Sequence, residues 1–315
     1  MTLINKRYAP VAVFTYKRLE HTQKVLSALN DSNLAMYTHL YIFCDNYKND
    51  SDRDEVNKVR EYIDSFSINN NFSKTVVIKS LSNNGLAKSI IDGVTDVITE
   101  WGKIIVVEDD MLVSKHFIEF MNNALDFYAA NKEIWSISGY SFPMNALLNY
   151  NHDIYMSGRA SCWGWASWID RWITVDWSVL DYKLFANNKK NRKEFAKWGK
   201  DLPYMLDAQM ITNHNSWAIR WSYSQFKQGK LTVYPKISYV KNIGNDGSGT
   251  HGSNLSDKYN TTLNNQQHYE CRFELLNVDE QIRKEFSNKY SMSTVNILKT
   301  KIKFKLIKSG ILSRK

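Results

Sequence analysis

A chain of 315 residues with 43% hydrophobic content and only 4 prolines can bury a sizeable core, which excludes a disordered protein and points to one large domain or one domain with an appendage. The formal charge of +9 is uneven: Lys299, Lys301, Lys303, Lys305, Lys308, Arg314 and Lys315 crowd the last stretch with no acid among them, and the remainder is nearly neutral. Cys44, Cys162 and Cys271 are odd in number and widely spaced, which argues against a disulfide framework or a zinc-ligand pair and fits a reducing cytosol.

Short β-branched runs at 11–15, 40–44, 75–79, 103–107 and 134–138 predict strands. Between them, 19–29, 54–66, 86–99 and 115–131 carry apolar residues at spacings of three and four, the mark of helices covering a sheet. Such alternation predicts an α/β fold with a mostly parallel sheet flanked by helices, a nucleotide-binding layout. Ligands of these sheets collect beyond the carboxyl ends of the strands. Those ends are polar here: Thr15, Tyr16, Lys17 and Arg18 after the first, Asp45 and Asn46 after the second, Ser82 to Gly85 after the third, Glu108, Asp109 and Asp110 after the fourth.

Further along, Trp163, Trp165, Trp168, Trp172 and Trp177 fall close together, followed by a lysine-rich segment and a helical pattern over 217–226. A tryptophan cluster builds core, and its faces also stack on sugars; both readings are open. No run reaches the length of a signal peptide or of a membrane span, which predicts a cytoplasmic protein, soluble or peripheral on the inner face of the membrane. The basic tail, with Ile302, Phe304, Leu306, Ile307, Ile311 and Leu312 among its lysines, suits an anionic membrane surface better than nucleic acid. Because 299–306 alternates with period two and gives no clean helical face, a solvated, frayed terminus competes with that reading.

Glu108, Asp109 and Asp110 are the sharpest local signal. Adjacent carboxylates repel, and a hard divalent cation would offset them while bridging to the phosphates of a nucleoside diphosphate. The competing reading is a turn before a helix that Ser114 caps.

The run Val106 to Met111, followed by Phe117, Phe120, Asn131 and Ile134 to Ser138, resembles the metal-binding region of N-acetylglucosaminyltransferase I and its bacterial relatives, the polysaccharide and O-antigen glycosyltransferases of GT-A type. The resemblance extends over roughly 8–255: Pro10 to Phe14 with Arg18 at the start, Tyr155 to Gly158, Gly164-Trp165, Trp217 to Arg220, and Leu231 to Gly252 with Pro235, Ser238, Gly244 and His251.

It implies a Rossmann-like GT-A domain over 1–260, with a helical basic extension over 261–315. It implies Mn or Mg as cofactor, held by Asp110 with His251 as a further ligand or phosphate donor. It also implies donor contacts from Thr15, Tyr16, Arg18, Asn84, Gly85, Lys88, Glu108 and Asp109, with Asp45 reading the uracil of a UDP-sugar. The partners implied are a nucleotide-sugar donor and a glycan or lipid-linked oligosaccharide acceptor.

The sequence departs from the pattern where an inverting enzyme needs its general base: Asn215 stands there and takes no proton. Asp207 or Asp246 could substitute, or the reaction could retain configuration through the leaving phosphate. A dehydrogenase is excluded by the lack of GxGxxG after the first strand, and a serine hydrolase by the lack of GxSxG. A non-catalytic nucleotide- or carbohydrate-binding protein on a degenerate GT-A fold is the alternative that Asn215 favours.

Overall fold

The first strand, β1 (Val11–Thr15), is buried along its whole length, as a strand covered on both faces must be. Val11 and Val13 face one apolar cluster while Ala12 and Phe14 face another, and Ile105 and Val107 against Ile104 and Val106 repeat that division in β4 (Lys103–Glu108). The computed structural model describes residues 7–212, 214–244 and 259–313.

Around these strands come α1 (Leu19–Asn30), β2 (His39–Cys44), α2 (Arg53–Ile68), β3 (Lys74–Lys79) and α3 (Leu86–Trp101). After β4 follow β5 (Met111–Val113), α4 (Phe117–Tyr128), β6 (Ile134–Ser138), β7 (Ile154–Ser157), β8 (Trp165–Trp168) and α5 (Ile169–Trp172). The remaining elements are α6 (Tyr182–Asn187), α7 (Lys189–Phe195), α8 (Leu202–Ile211), α9 (Trp217–Lys227), β9 (Leu231–Pro235), β10 (Val240–Asn242), α10 (Glu280–Lys289) and α11 (Thr294–Lys308).

The main sheet has 8 strands in the order β3-β2-β1-β4-β8-β6-β9-β7. Only β8 and β7 run against the rest: β8 lies antiparallel between β4 and β6, and β7 antiparallel beside β9. The architecture is thus mixed α/β, mostly parallel and flanked by helices, as the sequence predicts, and is consistent with a GT-A-like fold. Because β1 pairs with β2 on one side and β4 on the other, the crevice beyond its carboxyl end is a topological switch point. α3 presses close to the sheet there, since a side chain at Gly93 would collide with the stacked rings of Phe14 and Phe43.

One expectation is corrected. The fourth helix starts at Phe117, two residues later than predicted. Ser114 does not cap it: its hydroxyl is buried without a partner, and only its carbonyl receives the Phe117 N–H. Within the 261–315 extension, Ile282 and Phe286 of α10 sit in the same core as β1 and β4. The tail is an ordered helix over Thr294–Lys308, whose Phe304 and Ile307 pack with Ile211 of α8. Among the described residues no helix is long and apolar enough to cross a membrane.

The tryptophans are core. Trp135, Trp165, Trp172, Trp217 and Trp221 meet on one face of the sheet, with Trp135 and Trp221 centroids 4.3 Å apart. Trp163 lies apart from them, edge-on to Tyr140 at 4.6 Å.

Candidate functional site

The apolar run of β4 delivers three acids to the switch point. Phe14 pairs with Glu108 across the β1–β4 ladder, so the acids emerge beside Thr15 to Arg18. The guanidinium of Arg18 ion-pairs with Asp109 and reaches Oδ2 of Asp110 at 2.9 Å. Burial works against that cation, but the charges of Asp109 and Asp110 outweigh it and hold Arg18 above its ordinary pKa. Burial also raises Asp109, against the pull of Arg18. Glu108 is pushed up to about 8, first by burial and then by the charges of Asp110 and Asp109. Among the described residues one cation, Arg18, therefore faces three acids.

The other oxygen of Asp110, Oδ1, is buried and has no hydrogen-bond partner among the described residues. An unsatisfied buried acceptor costs about 1–3 kcal/mol, more when charged, and a cation at that oxygen would remove the penalty. Among the described residues no three His, Cys, Asp or Glu side chains converge into a metal cage. Asp110 would be one ligand of a divalent ion whose remaining positions the described residues do not fill.

A two-stranded ribbon walls this corner. β10 pairs antiparallel with β5, setting Asn242 against Met111, and the chain continues so that the Ile243 N–H donates to the Asp110 carbonyl at 2.8 Å. Gly244 follows, packed so tightly that a Cβ there would overlap Asp110 and stand 2.9 Å from Nη1 of Arg18. The ring of His21 from α1 meets the Ile243 carbonyl at 3.1 Å. On the outer side of the ribbon a cleft of about 410 Å³ is lined by Leu112, Lys241, Asn260, Thr261, Thr262 and Asn265.

Asp45, after β2, is a brace. Its Oδ1 accepts the N–H groups of Asn46 at 2.8 Å and Asn84 at 2.9 Å, and its Oδ2 those of Gly85 at 2.8 Å and the Asn83 amide at 3.2 Å. A carboxylate offers about four lone-pair sites and these four donors occupy them, so reading a pyrimidine N–H at Asp45 would require one of them to give way. The loop it holds ends at Gly85, whose φ of 72° favours glycine, and α3 starts at the next residue.

Arg60 of α2 supports the same loop by donating to the carbonyls of Cys44, Asp45 and Ser80. Thr15 donates its hydroxyl to the Phe43 carbonyl at 3.2 Å, and Tyr16 donates to Asp52 at 2.8 Å, so both shape the rim of the crevice. Lys88 points along α3 to pair with Asp92.

Asp207 is not a free base. Arg192 grips both its oxygens, at 2.8 and 2.7 Å, and the Tyr182 hydroxyl donates to it at 3.0 Å. It belongs to the helical layer of α6 to α9, packed over Val179, Phe185 and Leu206. Asn215 accepts from Arg220 at 2.9 Å. Asp246 and His251 lie outside the described residues. Arg18, Glu108, Asp109 and Asp110 lie at the carboxyl ends of β1 and β4, and Asp45, Asn84 and Gly85 beyond β2 and β3. The sequence did not single out Arg60 or His21, since contacts with backbone carbonyls leave no pattern in a sequence.

No family model matches the chain, and no curated protein matches it. Among solved structures it is similar to residues 1–349 of S. aureus TarS, with 9% identity and a TM-score of 0.39 over 73% of this chain and 59% of that one. A second structure of S. aureus TarS gives the same identity and TM-score over 74% of this chain and 36% of the other. The chain thus spans less than two thirds of the length of either solved chain.

Proposed function

We propose that the chain is a metal-dependent glycosyltransferase that moves a sugar from a nucleoside-diphosphate sugar, UDP-linked by preference, onto a glycan or lipid-linked oligosaccharide hydroxyl in bacterial surface polysaccharide synthesis. The observation that carries the reading is the buried, unpartnered Oδ1 of Asp110 beside Arg18 at the switch point of the sheet. Bound Mn or Mg would neutralise the diphosphate as it leaves. Asp110 would hold the ion, and Arg18, relieved of part of its work on Asp110, would donate to phosphate.

Asp45 takes up the N–H groups of Asn84 and Gly85 and so fixes the 83–85 loop, and the first turn of the 16-residue helix α3 that follows would present its own free N–H groups to the donor. In this reading Glu108 and Asp109 accept hydroxyl donors from the sugar and ribose, the role that the resemblance implies for them. The cleft beside the ribbon, with its amide and hydroxyl side chains, is the acceptor side. Inversion needs a base; Asp207 is excluded by its grip on Arg192, and Asp246 takes the proposed role.

The test is release of nucleoside diphosphate from a panel of nucleotide sugars with Mn, with and without acceptor. Asp110→Ala is expected to lower turnover at least a hundredfold, the scale of removing one transition-state charge stabiliser. Full turnover with unchanged metal dependence in that variant refutes the assignment. The locked Asp207 also favours a second reading, a binding protein on the same fold. Nucleotide binding without any release of diphosphate across the panel would support it instead.

A further inference from the structure

The outward face of α11 leaves large apolar side chains open to solvent. At 3.6 residues per turn, Ile297, Phe304 and Ile307 share one side of this helix, and Phe304 and Ile307 are buried against α8. Val295, Leu298, Ile302 and Leu306 share the opposite side. Three of these remain open to solvent: Val295 is 59% exposed, Leu298 60% and Ile302 50%. The helix therefore has two apolar stripes back to back, only one of which the protein covers.

The free stripe is framed by cations. Lys299 and Lys303 lie along one edge and Lys301, Lys305 and Lys308 along the other, all exposed. From Phe286 to Ser313 there is no acid. The patch continues past the helix: Gly310, at φ 75°, turns the chain back, and the N–H groups of Ile311 and Leu312 bond to the Leu306 carbonyl at 3.0 and 3.2 Å. This returns two more exposed apolar residues, 71% and 43% accessible, to the end of the same stripe.

We propose that this face docks on a membrane surface of anionic lipids, lying in the plane of the interface. The apolar stripe enters the headgroup boundary while lysines on both flanks extend to lipid phosphates. Charge complementarity selects this occupant. A second copy of the helix would bring two rows of lysines together, and a nucleic acid would have no use for the exposed Val295, Leu298 and Ile302. The proposal is independent of sugar transfer, because none of these residues touches the crevice at Asp110.

Full-length protein is sedimented with vesicles of phosphatidylcholine alone or mixed with phosphatidylglycerol, without donor or acceptor. Binding to the mixed vesicles is expected, falling as salt rises from about 0.1 to about 0.5 M. The triple variant Val295→Asn, Leu298→Asn and Ile302→Asn, altered only on the solvent side, is expected to partition at least about tenfold less at unchanged Tm. A second variant, Lys299→Gln with Lys303→Gln and Lys305→Gln, should lose the preference for anionic vesicles. Failure of the wild type to bind either vesicle, equal salt-insensitive binding to both, or triple-variant binding equal to wild type each overturns the proposal. So does a dimer in solution that the triple variant disperses while vesicle binding is absent.

Discussion

Arg18 holds the acidic end of β4 together. Its guanidinium serves two carboxylates that lie on consecutive residues, and both are largely withdrawn from water. Removing one partner of such a buried set leaves charge uncompensated, which costs about 3–5 kcal/mol when burial is complete and is near the low end at this partly open site. Arg18→Met is therefore expected to lose about 3 kcal/mol in urea unfolding with EDTA present. Added Mn should return part of that loss by supplying the missing positive charge at Asp110. A loss that Mn leaves untouched would mean that Asp110 does not meet a cation. At the same scale, the legibility of the site has a simple cause: residues just past a buried strand are fixed in space by the ladder, so Arg18 and Asp110 could be located from their place after the apolar runs. The bidentate pair of Asp207 with Arg192 joins two separate helices and follows no periodicity, so its lock was invisible to the sequence.

Elements differ in how plainly they are written. β1, β4 and β6 read as apolar runs because each is covered on both faces, whereas β2 is buried at alternate residues and the edge strand β3 has no buried residue. α1 to α3 match their expected spans within a few residues. β8 was not read as a strand: its Trp-Ala-Ser-Trp has only 4 residues, and its place between β4 and β6 depends on pairing with partners about 30 to 60 residues away in the chain. The tail carries two signals: the resemblance implies a helical extension, which α11 is, while its two opposed apolar stripes cancel in a periodicity measure and leave a period-two pattern in the sequence. The tryptophan layer joins α9 to the inserted β8, with Trp221 in ring contact with Trp135, Trp165 and Trp172. Trp221→Ala is expected to cost about 3–5 kcal/mol in chemical denaturation. Trp221→Phe should cost far less, because the indole N–H of Trp221 has no acceptor to lose. Equal losses in the two variants would contradict a packing role.

At the scale of the whole molecule, the sheet, its switch point and the basic helix form one body: α10 seals the core of the sheet and α11 rests on α8. A ligand that binds only the folded state stabilises the whole of it, by about 2.7 kcal/mol at a concentration one hundred times its Kd. Thermal unfolding thus reads the crevice directly. The decisive measurement is the Tm of wild type and Asp110→Asn with UDP alone, Mn alone, and both. In the wild type, UDP and Mn together are expected to raise Tm well beyond the sum of their separate effects, and in Asp110→Asn that excess should vanish. An equal rise from UDP without Mn, or an undiminished excess in Asp110→Asn, would contradict the claim that Asp110 holds a cation against the diphosphate.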